Sequence, residues 1–127
     1  MKNVFVYGSL KKGLFNHSLI SENPRNRFIR KGFVYGYSLY VLHSYPAIKP
    51  ASSTNKIYVE LYNLTDEVFD FIDRMERNAG YTPVEVVDDE GKSGIIYVYD
   101  KEVNEDKIVP FGNWGKDNEK LKIARNI

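Results

Sequence analysis

The chain has no cysteine, which excludes disulfides, thiolate nucleophiles and cysteine-ligated zinc or iron–sulfur sites. Its two histidines, His17 and His43, lie far apart and without the spacing of a metal pair, so neither a metal nor a cofactor is expected. No long apolar run is present, and Met1-Lys2-Asn3 leads straight into strand-like sequence with no signal-type apolar segment. The expectation is a soluble, cytoplasmic protein with no membrane partner. An excess of one charge is missing too. The 18 basic and 17 acidic residues leave a formal net charge of +1, which argues against a dedicated polyanion surface and a nucleic-acid partner. Repeats, low-complexity blocks and linkers are absent. Residues 1–127 therefore read as a single domain, and its 43% apolar content is enough to bury a core.

Tyrosine, by contrast, is plentiful, with ten in 127 residues, most of them in strand-like stretches. Each brings apolar area and a hydroxyl that needs a partner. That composition suits a barrel or sheet enclosing a polar ligand, and equally a strand-rich fold with half-exposed edges.

The most informative segment is Val4-Phe5-Val6-Tyr7-Gly8-Ser9-Leu10-Lys11-Lys12-Gly13. Val4 and Val6 can face a core while Phe5 and Tyr7 face the other way. Gly8 permits a sharp turn and a close approach where no Cβ intervenes. Such a turn can aim several N–H groups at one carboxylate or oxyanion. The plainer alternative is an edge strand that ends in a tight turn.

Downstream, Phe15 to Ile20 reads as a loop or one helical turn closed by Pro24. Arg27 to Leu42 reads as two strands, or one strongly bent strand, with Gly36 at the bend. His43 to Asn55 reads as a loop, because it holds Tyr45-Pro46-Ala47-Ile48-Lys49-Pro50 and a Ser-Ser-Thr-Asn tip. Ile57 to Leu64 alternates cleanly as a strand. Thr65 is placed to cap a helix whose first turn holds Asp66 and Glu67, and which runs to about Arg77 before Gly80. Tyr81–Val87 and Ser93–Tyr99 form a hairpin across Asp88-Asp89-Glu90-Gly91-Lys92. A short polar helix is expected from Lys116 to Arg125, and Trp114 either covers the mouth of the sheet or fills a gap in the core. The fold class is α+β: a small mixed β-barrel of about six strands with one principal helix.

That helix carries an acid on the wrong face. At about 100° per residue, Val68, Phe69, Phe71, Ile72 and Met75 form one apolar arc, and Asp66, Glu67, Asp70, Asp73, Arg74 and Arg77 form the opposite one. Glu76 falls between Ile72 and Phe69, on the core side. An unpaired carboxylate in apolar surroundings raises its pKa to avoid carrying charge. That is what a general acid/base near neutral pH requires. The alternative is a glutamate that reaches solvent at the helix end or pairs with Arg74, Arg77 or a tyrosine hydroxyl. Glu60, on the Tyr58/Tyr62 face of its strand, is a second acid in a sheltered place and reads as solvated or structural.

These residues resemble the signature of the γ-glutamylcyclotransferase family in its AIG2-like branch, and within it the γ-glutamylamine cyclotransferases. The resemblance runs through residues 4–13, Asn16-His17, Tyr45-Pro46-Ala47-Ile48, Glu60-Leu61-Tyr62, and Ile72-Asp73-Arg74-Met75-Glu76 followed by Tyr81. It implies a compact β-barrel and an enzyme that cyclises a γ-glutamyl group to 5-oxoproline and releases the attached amine or amino acid. On the matching positions, Tyr7, Gly8, Ser9 and Leu10 would hold the substrate through backbone N–H groups and the Ser9 hydroxyl. Glu76 would take a proton from the α-ammonium and return it to the leaving nitrogen, and Tyr81 would line the cleft or orient Glu76. The family often has Gly at the position of Val59, and an Arg two residues after the tyrosine where this chain has Pro83. Those departures bear on the leaving amine, not on the cyclisation.

Two other readings compete. The same pocket can serve a non-catalytic, ligand-binding relative. Lys31-Gly32-Phe33-Val34-Tyr35-Gly36-Tyr37 partly resembles the aromatic strand of single-stranded RNA-binding modules, although Val34 stands where a small residue is usual and the charge is balanced.

Overall fold

The computed structural model describes residues 1–42, 45–116 and 118. His43 and nearly all of the helix expected over 116–125 lie outside the described residues.

Strand β1 (Lys2–Val6) is not at an edge. It pairs antiparallel with β5 (Lys56–Leu64) on one side and parallel with β7 (Ser93–Tyr99) on the other. The five-stranded mixed sheet has the order β2-β5-β1-β7-β6, with β2 spanning Arg27–Tyr35 and β6 spanning Tyr81–Val87. Because β1 is internal, its alternation feeds two cores. Val4 and Val6 join Leu64, Ile72, Tyr81 and Tyr97, while Phe5 and Tyr7 join Leu39, Ile48, Ile57, Leu61 and Ile96. Trp114 lies fully buried in the second group, so it fills the core and does not cover a mouth.

β2 and β3 (Tyr37–Leu42) are separate strands divided by Gly36, whose φ of 92° is readily adopted by glycine. The loop expected over 43–55 is corrected by the structure. Tyr45–Pro50 forms β4, which pairs with β3 in a second, two-stranded sheet. Its prolines, which favoured a loop, are tolerated because β4 has a partner on one side only, and an edge strand can do without some of its N–H donors. The strand total is thus seven, not about six.

The five-stranded sheet curls until its two ends touch. The turn between β6 and β7 reaches across to β2, where the Asp89 N–H donates to the Phe33 carbonyl at 3.0 Å and the Phe33 N–H donates to the Asp89 carboxylate at 2.9 Å. Arg30 reinforces this clasp with contacts to Asp88 at 2.6 Å, Asp89 at 2.9 Å and Glu90 at 2.6 Å.

On the sheet face that carries Val4, Val6 and Leu64 lies α2 (Asp66–Asn78), capped by the Thr65 hydroxyl, which accepts from the Val68 N–H at 3.3 Å. Its short predecessor α1 (Ser18–Ser21) is a single turn. Ile72 is fully buried, with Val68 and Phe69 packed beside it. Phe71 departs from the expected arc: at its margin, it is half exposed.

Candidate active site

The chain leaves β1 at Val6 and turns through Tyr7-Gly8-Ser9-Leu10, closed by the Lys11 N–H donating to the Gly8 carbonyl at 3.0 Å. The following loop buttresses the turn. Asn16 donates from its backbone to the Ser9 carbonyl and from its side-chain amide to the Ser9 hydroxyl, both at 2.8 Å. His17 Nδ1 lies 2.8 Å from the Leu10 carbonyl. Glu60 is buried beneath and accepts from the Lys12 N–H at 2.8 Å and the Tyr62 hydroxyl at 2.7 Å. It is a brace for the turn, in line with the structural reading of that acid.

Gly8 is required by close approach. A Cβ built there would run into the Pro46 ring of β4. Among the described residues, no protein acceptor takes the N–H groups of Ser9 and Leu10. The N–H groups of Ser9 and Leu10 and the Ser9 hydroxyl, all on residues that line the cavity, are the donors this turn can offer a carboxylate or oxyanion.

Facing this turn is Glu76, in the last turn of α2. A cavity of about 270 Å³ is lined by Tyr7, Gly8, Ser9 and Leu10 on one side and by Ile72, Met75 and Glu76 on the other, with Tyr81 and Tyr97 also contributing. All six residues expected at a site from the sequence line this one cavity. Glu76 is the sole carboxylate among its described lining residues, which include no lysine, arginine, histidine or cysteine.

Burial pushes the Glu76 carboxyl up to about 7. The tyrosines around it do not relieve it, because their hydroxyls are committed elsewhere. Tyr7 donates to the Tyr97 carbonyl at 2.7 Å, Tyr97 to Asp73 at 2.8 Å, and Tyr81 to the Pro46 carbonyl at 2.6 Å. Burial raises the pKa of each of the three, and the nearby Glu76 carboxyl adds to the rise. They stay protonated throughout the neutral range.

Several lining residues went unassigned in the sequence. Asn16 stood within the motif without a role, yet it fixes Ser9 and lines the cavity. Pro46, in the Tyr45-Pro46-Ala47-Ile48 segment of the resemblance, likewise had no role and lines the cavity, and so does Tyr97, which nothing local in the sequence marks because it arrives through strand pairing far along the chain. Among the described residues there is no group of three or more histidines or acids able to hold a metal. No described helix is long and apolar enough to cross a membrane.

The profile of the family described as γ-glutamyl cyclotransferase, AIG2-like, matches residues 4–116. A Methanocaldococcus jannaschii protein that carries a provisional γ-glutamylcyclotransferase name is 32% identical over 103 residues, 78% of this chain and 83% of that one. The γ-glutamylcyclotransferase family protein YtfP of Escherichia coli is 26% identical over 112 residues, 87% of this chain and 94% of that one. Among solved structures, an uncharacterised Pyrococcus horikoshii protein superposes with a TM-score of 0.76 at 23% identity, covering 99% of this chain and 97% of the other. An AIG2-like protein of Mus musculus superposes with a TM-score of 0.68 at 21% identity, covering 83% of this chain and 81% of the other. At those identities the two superpositions speak for the fold.

Proposed function

Because the chain belongs to the AIG2-like γ-glutamyl cyclotransferase family, we propose that its cavity cyclises a γ-glutamyl amine or γ-glutamyl amino acid to 5-oxoproline. The observation that carries this reading is Glu76, an acid raised to about 7 that faces the Tyr7–Leu10 turn across one small cavity.

The cavity offers a proton carrier and hydrogen-bond donors but, among the described lining residues, no cysteine or histidine for a protein-borne nucleophile. Cyclisation needs none, since the substrate brings its own amine. The α-carboxylate is held by the N–H groups of Ser9 and Leu10 and by the Ser9 hydroxyl. Ionised Glu76 removes one proton from the α-ammonium. The freed amine attacks the γ-carbonyl carbon, a new carbon–nitrogen bond closes the five-membered ring, and the bond to the leaving nitrogen breaks. Glu76 gives its proton to that nitrogen as the bond breaks, and then takes the second proton shed by the ring nitrogen and passes it on to the released amine, so 5-oxoproline and an ammonium ion depart and the carboxylate is restored.

Holding the glutamyl chain folded supplies the larger share of the acceleration, for which intramolecular reactions reach roughly 7–11 kcal/mol. A positioned acid/base adds about 10²–10⁴-fold. A carboxyl near 7 suits both halves of the cycle, since it accepts and releases a proton with little cost in either direction. The decisive experiment follows 5-oxoproline release from γ-glutamyl amines and γ-glutamyl dipeptides by the parent protein and by Glu76→Gln. Release by the parent alone supports the reading. No release from any of these substrates, or equal rates from both proteins, overturns it.

A further inference from the structure

A second cleft, of about 360 Å³, lies behind the loop that carries the Tyr7–Leu10 turn and shares no lining residue with the first. Its polar rim includes Lys12 and Lys31, both exposed. Neither ammonium has an ion-pair partner among the described residues. The neighbouring Arg30 is different, since its guanidinium is held by Asp88, Asp89 and Glu90. Glu60 lies on the floor and offsets part of this charge, but its Oε1 is already taken by the Lys12 N–H and the Tyr62 hydroxyl.

One wall is aromatic. Phe28 is 53% exposed, and its ring meets Tyr62 edge-on at 5.5 Å. Tyr62 is in turn 5.8 Å from the His17 ring. A solvent-facing ring fixed from behind by a second ring is a platform for a flat ligand.

We infer that this cleft is a second ligand site, taking a small organic phosphate of nucleoside-monophosphate size with its phosphate at Lys12 and Lys31 and its flat ring against Phe28. A phosphate monoester offers three acceptor oxygens and close to two negative charges at neutral pH, and so can engage both ammonium groups through separate oxygens. The volume falls within the range of small-molecule sites.

The test is an amide-resolved NMR titration of the full chain with AMP, GMP, CMP and UMP, with inorganic phosphate and adenosine as separate arms. Saturable shifts centred on residues 12, 17, 28 and 31 are expected for at least one nucleotide, with affinity at least about tenfold above that of phosphate or adenosine alone. The double substitution Lys12→Ala/Lys31→Ala is expected to weaken nucleotide binding at least about tenfold. Phe28→Ala is expected to weaken nucleotide binding while leaving phosphate binding unchanged. All three positions are exposed, and the folded spectrum of each variant serves as its own control. The proposal fails if none of the four nucleotides shifts these amides, or if the shifts centre on residues 7–10. It fails equally if the double variant binds as tightly as the parent, or if phosphate binds as well as the nucleotides.

Discussion

The Tyr81 hydroxyl donates to the Pro46 carbonyl at 2.6 Å, and the ring of that same proline occupies the place a side chain on Gly8 would need. β6, β4 and the turn after β1 are thereby locked around one end of the cavity. Tyr81 is thus a clamp on the cavity wall. Tyr81→Phe removes one buried hydrogen bond, worth about 1 kcal/mol. It should raise KM several-fold and leave kcat within about threefold of the parent. Steady-state kinetics of 5-oxoproline release separates the two parameters. A fall in kcat as large as that from Glu76→Gln would instead mean that Tyr81 orients the acid.

Gly8→Ala tests the other half of the lock. The added methyl meets the Pro46 ring, and overpacking of this kind costs about 1–3 kcal/mol. The thermal midpoint should fall by several degrees, and substrate binding should weaken because the turn must move. Calorimetry and KM on the same sample check both effects.

Glu76→Gln should lower turnover by at least about two orders of magnitude while the fold stays intact. It should also change the pH dependence of stability. The folded-state value of about 7 lies above the ordinary 4.5, so the folded form keeps a proton that the unfolded chain has lost between those values. Relative stability from this group is complete below about 4.5 and is lost as pH rises through about 7, a difference on the order of 3 kcal/mol. Glutamine carries no such loss. Chemical denaturation at pH 5 and pH 8 should show the variant gaining on the parent at the higher pH.

The pH–rate profile follows from the same group. The proton must first be accepted by the carboxylate, so kcat/KM should fall as pH drops below about 7. Ser9→Ala should leave this inflection in place, weaken substrate binding and lower the rate less than Glu76→Gln does, because the N–H donors of Ser9 and Leu10 remain. A profile flat from pH 5 to pH 8 would remove Glu76 from the proton path.

What the sequence disclosed was local. α2 was legible because Thr65, the acidic first turn and Gly80 mark its ends and its apolar positions recur every three to four residues. The inward aim of Glu76 came from the same periodicity. β4 escaped because Pro46 and Pro50 resemble a loop unless the strand's edge position is known. Phe71 escaped because a residue at the margin of an apolar arc is buried only if a neighbour reaches that far. The placement of β1 between β5 and β7, which brings the turn opposite Glu76, rests on pairings nearly sixty and ninety residues apart. No local pattern encodes it.

The clasp that curls the sheet gives the last prediction. Burial alone would raise the Asp88 carboxyl, but the Lys92 N–H, Arg30 and the Glu90 N–H outweigh it and hold the group below its ordinary value. Asp89 is held low chiefly by Arg30 and then by the Phe33 N–H. For acids depressed in the folded state, the stabilisation is present above their unfolded values and is lost as pH falls through the folded ones. Arg30→Ala removes the shared cation and leaves Asp88, whose side chain is 1% exposed, to its backbone donors alone. The thermal midpoint should therefore drop at pH 7. As pH falls through their depressed folded values and both carboxyls become protonated, the difference should shrink. Melting curves of the two proteins across that range decide the matter: a gap that stays constant with pH would mean that Arg30 acts through packing and not through its charge.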